Sequence, residues 1–258
     1  MQDHDLKNKP LVEAILEVRW ALSRGPQDGA VDPHYKILLG RLYERTSADY
    51  PEHEELPSAQ IPDEITGHVV KHRFRQVGQG WPLVQIGPGI LTVNDTSGYT
   101  WTDFRQRALE AVRKLYDSHP QPGDLRVNDL VLRYIDAEPL DYAAESIFDF
   151  LKAKMRIGIS LPEGLFERPG VQKLPARLNW QASFRCENPK GTVQLRFGTG
   201  QKDKRPALLW ETIVQSAEDG IPQMPRNFSE WLEAAHNITH EWFFRLIEGD
   251  LERKYRGE

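Results

Sequence analysis

Residues 11–20 alternate: Val12, Ala14, Leu16, Val18 and Trp20 fall on one side, Glu13, Glu17 and Arg19 on the other. That period of two is the signature of a half-buried β-strand. Asp32 followed by Pro33 reads as an N-cap with proline at the first helical position, and Ile37, Leu38, Leu42 and Tyr43 form a helical stripe that fades near Pro51. The Pro- and Glu-rich stretch 51–64 reads as a loop. Strands are expected near 68–76, 82–87 and 89–94, punctuated by Gly78-Gln79-Gly80 and Gly87-Pro88-Gly89 as hairpin turns. A helix follows over about 101–116, with Phe104, Ala108, Leu109, Val112 and Leu115 at helical spacing, and Pro120, Pro122 and Gly123 close it.

The same order then recurs. A strand is expected over 126–136, a helix carrying Ala144, Ile147, Phe148 and Leu151, a Pro- and Gly-rich loop over 158–175, and strands near 176–187, 191–198 and 207–217. A last helix begins near Phe228, where Asn227 and Glu230 are spaced as a capping box. Its entry, Phe228-Ser229-Glu230-Trp231, resembles Trp101-Thr102-Asp103-Phe104 in being aromatic, hydroxyl, acid, aromatic. The chain therefore reads as two tandem β-α-β-β-β-α halves, 1–119 and 120–258, building an antiparallel sheet with helices on one face: an α+β fold. The saddle of the TATA-box-binding protein and the ferredoxin-like layout are the nearest analogies, and neither transfers function.

Composition narrows the function classes. With 258 residues, 39% of them hydrophobic, the chain can bury a sizeable core. A net charge of -5 disfavours a nucleic-acid binder, which ordinarily presents a basic surface to phosphate. One cysteine, Cys186, excludes an internal disulfide; it alternates in register with Trp180 and Phe184, so a packed thiol is expected. No apolar run is long enough to span a bilayer and Met1–Pro10 has no leader-like segment, so the cytoplasm is the expected location and no membrane partner is expected.

Three groups of residues carry candidate chemistry. On the last helix the core stripe is Trp231, Ala235, Ile238, Trp242 and Leu246; Glu233, His236 and His240 can share a neighbouring face. Three such ligands would suffice for zinc. The spacing differs from a zincin motif, because Glu241 follows the second histidine, and no second Glu-x-x-His completes a di-metal bundle. The favoured reading is a packing helix with no metal and no cofactor. Second, Arg133 lies between Val131 and Ile135 on one strand face and needs a carboxylate or carbonyl partner, for which Glu13 and Glu17 are candidates if the first strands of the two halves are neighbours; with Asp136 these form the candidate acid-base site of a hydrolase. Third, Arg177, Gln181, Arg185, Gln194 and Arg196 alternate with apolar residues and would display a polar face away from the helices. A solvated face is the bland reading; a concave recognition surface for a protein, peptide or nucleic-acid strand is the functional one, with another protein or a second copy of this chain favoured and nucleic acid disfavoured by the net charge. Lys71, Arg73 and Arg75 share a face in the first half. No Walker A sequence, Gly-x-Ser-x-Gly elbow or Cys-x-x-Cys occurs.

Lys9-Pro10-Leu11-Val12-Glu13-Ala14, Gly98-Tyr99-Thr100-Trp101-Thr102-Asp103-Phe104, Arg133-Tyr134-Ile135-Asp136 and the C-terminal helix together resemble a sporadically distributed family of uncharacterised bacterial proteins, over nearly the whole chain. The segments look like structural signatures, and the family usually has Asn where Asp136 stands. The resemblance implies no activity, substrate or cofactor, and its patchy distribution implies an accessory role of the defence or toxin-antitoxin kind. The leading expectation is a non-enzymatic binding protein using the polar sheet face; the alternative is a hydrolase acting on a nucleotide or nucleic acid.

Overall fold

The strand alternation of 11–20 becomes β1 (Leu11–Trp20), and its even-numbered residues Ala14, Leu16, Val18 and Trp20 are buried. The computed structural model describes residues 6–25, 29–78, 80–96, 98–167 and 170–258. Part of the N-terminal stretch, of the turn at 78–80 and of the loop at 158–175 lies outside the described residues. After β1 come a short ribbon, β2 (Ser23–Arg24) and β3 (Ala30–Val31), then α1 (Tyr35–Thr46), β4 (Glu52–Glu55), α2 (Asp63–Thr66), β5 (His72–Arg75), β6 (Leu83–Gly87), β7 (Ile90–Asp95) and α3 (Trp101–Ser118). The remainder is β8 (Val127–Pro139), α4 (Ile147–Met155), β9 (Asn179–Glu187), β10 (Lys190–Lys202), β11 (Arg205–Ala217), α5 (Phe228–Ile247) and α6 (Asp250–Arg256).

Nine strands form one antiparallel sheet in the order β4-β5-β6-β7-β1-β8-β11-β10-β9, with helices packed on one side. The fold is α+β, as expected from the chain. β1 and β8 join the two parts of the chain into that single sheet, with Leu16 opposite Leu132 and Ala14 opposite Tyr134. Outward from this pair, the order β7-β6-β5 on one side is matched by β11-β10-β9 on the other. The match is partial, because β4, α2 and the β2–β3 ribbon of the first part have no counterpart in the second.

The period of two sorts every strand between two environments. Leu130 and Leu132 of β8, Trp210 and Val214 of β11, and Val193 and Phe197 of β10 point to the helix side and are buried. α5 packs over β8 and β11, and α3 packs over β7. One core lies beneath α1, α3 and the start of α5; another, around Trp210, Ile147 and Leu251, lies beneath α4, the end of α5 and α6, and Trp242 touches both. The Gly-Pro-Gly turn joins β6 to β7: Gly89 has φ +72°, and a Cβ on Gly87 would sit 1.9 Å from the Val69 carbonyl oxygen, so glycine is required at both.

Local details depart from the sequence reading. The stretch 51–64 contains β4, a 3-10 turn over Pro57–Gln60 and the start of α2, and Glu52–Glu55 pairs with β5 as an edge strand despite its charge. Ile37 is exposed, and the buried stripe of α1 is Tyr35, Leu38 and Leu42. Asp32 accepts from the His34 backbone N–H at 3.0 Å and from Trp20 Nε1 at 2.9 Å, so it ties the turn before α1 to β1. The expected capping box at Asn227 is not made: Asn227 has no side-chain cap bond, whereas Thr100 accepts from the Asp103 N–H at the head of α3.

Leu132 is fully buried at the β1–β8 seam. Leu132→Ala should cost about 2–5 kcal/mol, and urea unfolding followed by both far-ultraviolet dichroism and tryptophan fluorescence should remain a single transition. Two separated transitions would show that the parts joined by the seam are independent.

Candidate functional site

The strand period divides the candidate hydrolase residues. On the sheet face away from the helices lie Glu13, Glu17 and Arg133; Asp136, an odd number of residues from Arg133, lies on the helix side and is buried. β1 and β8 are neighbours, yet the carboxylate paired with Arg133 is Glu211 of β11, with Nη2 2.9 Å from Oε1. Arg133 stands opposite Ile15 and Ile213 and reaches one position diagonally, which brings Glu211 into range. Glu17 pairs with Arg19, while Glu13 accepts from Asn94 Nδ2 at 2.7 Å. Burial raises the Glu13 carboxyl above its ordinary value, with the Asn94 bond and Arg133 acting against that rise.

This face is polar, and its groups are bonded to one another. Arg73 donates to Gln85 (3.0 Å), and Gln85 donates to Thr92 (3.2 Å) and Asn94 (3.0 Å). Across the centre, Gln215 donates to Asp129 (2.9 Å), Gln194 to Gln215 (3.2 Å) and Arg196 to Gln194 (3.0 Å). Of the five residues expected to form a recognition surface, Gln194 and Arg196 are therefore held within the sheet. Gln181 and Arg185 on edge strand β9 are exposed, and Arg177 precedes β9. Lys71 precedes β5 and is buried, donating to the Asp63 carboxylate and the Ile61 carbonyl.

The helix side holds a cavity of about 380 Å³ between β8, β11, the entry to α3 and the middle of α5. Its floor is Asp136, Tyr134 and Thr212; its walls include Tyr99, Trp101 and Phe244. Glu233, His236 and His240 all line it, so the helix geometry did bring the three together on one face. They are occupied by other contacts. Glu233 accepts from Arg105 Nε at 2.9 Å. His236 stacks on Trp101 with centroids 3.6 Å apart and 6° between planes, and its Nδ1 lies 3.1 Å from the Tyr134 hydroxyl. Among the described residues no group of three or more His, Cys, Asp or Glu side chains is arranged to hold a metal ion.

Burial, with His240 adding to it, lowers the His236 pKa to about 3, so the ring is neutral at ordinary pH. With its proton on Nε2 it accepts from Tyr134, whose oxygen lies 2.7 Å from the Tyr99 hydroxyl. Burial pushes the Tyr134 phenol above its usual range. The result is an uncharged chain, Tyr99–Tyr134–His236, along one wall.

Asp136 has no such arrangement. It is 3% exposed, and burial raises its pKa to about 8, opposed only by Lys202 through space. Lys202 Nζ donates instead to the Pro10 carbonyl at 3.1 Å. No hydrogen bond supports the carboxyl among the described residues. The register of β1 slips by one residue between Leu11 and Glu13, opposite Asp136 and Ile135, so a β-bulge sits at the cavity edge. Opposite Tyr134 on β11, the buried Thr212 Oγ1 also has no partner among the described residues.

The sequence reading singled out Asp136 and the α5 trio but missed Tyr134, Thr212 and the α3 entry as site residues. One signal for Tyr134 was present, since it precedes Asp136 by two and therefore shares its face. Lys9-Pro10-Leu11, Tyr99-Thr100-Trp101-Thr102, Tyr134 with Asp136, and α5 all line this cavity. The segments read as structural signatures thus converge on one concave site. No family model matches the chain, and no curated protein matches it.

The Asp136 carboxyl keeps its proton up to about pH 8 when folded, against an ordinary 3.8. Its raised pKa favours the fold below the ordinary value, and that advantage is lost as pH rises through the folded one. Asp136→Asn, which does not titrate, should therefore gain on wild type by on the order of 3–4 kcal/mol between pH 5 and pH 8 in urea unfolding. Taking the change with pH cancels the constant cost of burying an amide. A gap that does not vary with pH would show that Asp136 is ionised in the fold.

Proposed function

We propose that the protein is a non-enzymatic binding protein and that its binding element is the cavity between the sheet and α5, which takes a small molecule. The observation carrying this reading is a buried carboxyl and a buried hydroxyl, Asp136 and Thr212, both without a hydrogen-bond partner among the described residues and both at the floor of a cavity of about 380 Å³. Isolated buried polar groups are costly, on the order of 1–3 kcal/mol each, and a ligand seated in the cavity would complete these two. The volume falls in the range of small-molecule sites, and the lining combines aromatic rings, Tyr99, Trp101, Tyr134, Phe243 and Phe244, with convergent polar groups.

The polar sheet face is less suited to the role, because most of its arginines and amides already satisfy one another. The hydrolase alternative finds little support in the side chains. Among the described residues no Ser, Thr or Cys side chain is hydrogen-bonded to a histidine ring or a carboxylate, so no activated nucleophile is assembled. No helix of the described residues is long and apolar enough to cross a membrane.

Asn237 is exposed on α5 at the rim of the cavity, where a larger side chain would obstruct entry without entering the core. A panel of small ring-bearing amines, alcohols and acids should contain compounds that raise the melting temperature of the wild type, by roughly 5–10 °C at a hundredfold excess over Kd. Asn237→Trp, with its own melting temperature unchanged, should lose that response. Equal responses in the two proteins, or none in the wild type, would overturn the cavity as the binding element.

A further inference from the structure

We propose that the cavity binds a flat organic cation of the amidinium type, its N–H fork meeting the Asp136 carboxylate and the Thr212 hydroxyl and its body lying among Tyr99, Trp101 and Phe244; this rests on the small-molecule reading above. The floor groups decide the sign of the ligand. Asp136 is the one floor group that can take up a charge, and among the described residues neither its carboxyl nor the Thr212 hydroxyl, which can give or accept a hydrogen bond, has a partner, whereas the nearby cations are already directed at main-chain carbonyls: Lys9 Nζ donates to Tyr99 O at 2.8 Å and Lys202 Nζ to Pro10 O at 3.1 Å. A planar pair of N–H groups matches the two oxygens of a carboxylate, and such charge-assisted bonds are the strong ones in a dry site. The walls favour the same class. Aromatic faces attract a cation most when water is excluded, and a flat body offers area for stacking. Trp101 is already covered on one face by the neutral His236 ring, which holds it rigid beside the floor.

Pairing with a cation removes the reason for Asp136 to hold its proton, so binding near pH 7 releases that proton to solvent. The other groups around the site do not supply it. Tyr134 on the same strand is pushed above its usual range, as is Tyr255 of α6, which feels Asp136 through space. His236 on α5 is already neutral, and Glu233 beside it is paired with Arg105. Tyr99, Lys9, Lys202 and His240 are the other charged or titratable groups around the site among the described residues, and His240 is controlled by substitution.

Benzamidine, which stays cationic across this pH range, tests the assignment by isothermal titration of the full chain, with benzyl alcohol and benzoate as neutral and anionic matches. Benzamidine should bind the wild type about ten- to a hundredfold more tightly than either, the margin of a charge-assisted hydrogen bond. Titrations in buffers of different ionisation enthalpy should show release of close to one proton per molecule bound at pH 7 and almost none at pH 9. His240→Gln should keep that release, and Asp136→Asn should lose both the preference and the release. If Asp136→Asn does not fold, proton release by the wild type and by His240→Gln decides the matter alone. Tighter binding of benzyl alcohol or benzoate would overturn the cationic assignment while leaving the cavity reading intact. No binding by any of the three, together with no response in the wider panel, would overturn both. Benzamidine binding without proton release, or retained by a folded Asp136→Asn, would overturn the role of Asp136.

Discussion

Strand β8 lies between β1 and β11 in the middle of a nine-stranded sheet, and a strand in that position must divide its side chains between two unlike environments. Arg133 turns to the polar face, where Glu211 pairs with it; Tyr134 and Asp136 turn beneath α5. Neither destination can be exchanged, because a slip of one residue would place Leu130 and Leu132 in the polar network and Arg133 in the core. The β1–β8 register therefore sets where charge is tolerated and where it is stranded.

The two faces handle polar groups in opposite ways. On the open face, arginines, amides and carboxylates from neighbouring strands meet in diagonal and direct pairs, which leaves single atoms such as Arg133 Nε and Arg196 Nε unbonded but gives each of these guanidinium groups a carboxylate partner. Under α5, Asp136 has no hydrogen-bond donor among the described residues. Stability alone would replace Asp136 with an apolar residue; a site that must meet a ligand retains it. His236 shows the contrast within the cavity, since its burial is relieved by neutrality, by the Tyr134 bond and by stacking on Trp101.

Much of the architecture was legible in the chain. The alternation in 11–20, 126–136, 176–187 and 191–198 identified strands that the structure forms, and the helical stripes located α3 and α5. What escaped depended on partners distant in sequence. Glu52–Glu55 carries no strand pattern and becomes a strand only because β5 offers it an edge. The grouping of Arg133 with Asp136 failed on simple parity, which was available from the sequence. The partner of Arg133 was not available, because it depends on β11 lying beside β8. The α5 trio was placed on one face by helix geometry alone, but Arg105 and Trp101, which take up Glu233 and His236, belong to a helix more than a hundred residues earlier. The environment of Asp136 was invisible for the same reason: it is made by α5, the α3 entry and the segment before β1 closing over one strand.

Everything proposed for the cavity depends on the Asp136 carboxyl, which lines it without a hydrogen-bond partner among the described residues, being protonated at neutral pH. Carbon-13 NMR of the aspartate side-chain carboxyls, with Asp136 assigned by its loss in Asp136→Asn, measures this directly. The account expects one aspartate to titrate with a midpoint near pH 8, well apart from the rest. A midpoint for Asp136 in the ordinary carboxylate range, about 3–5, would contradict it.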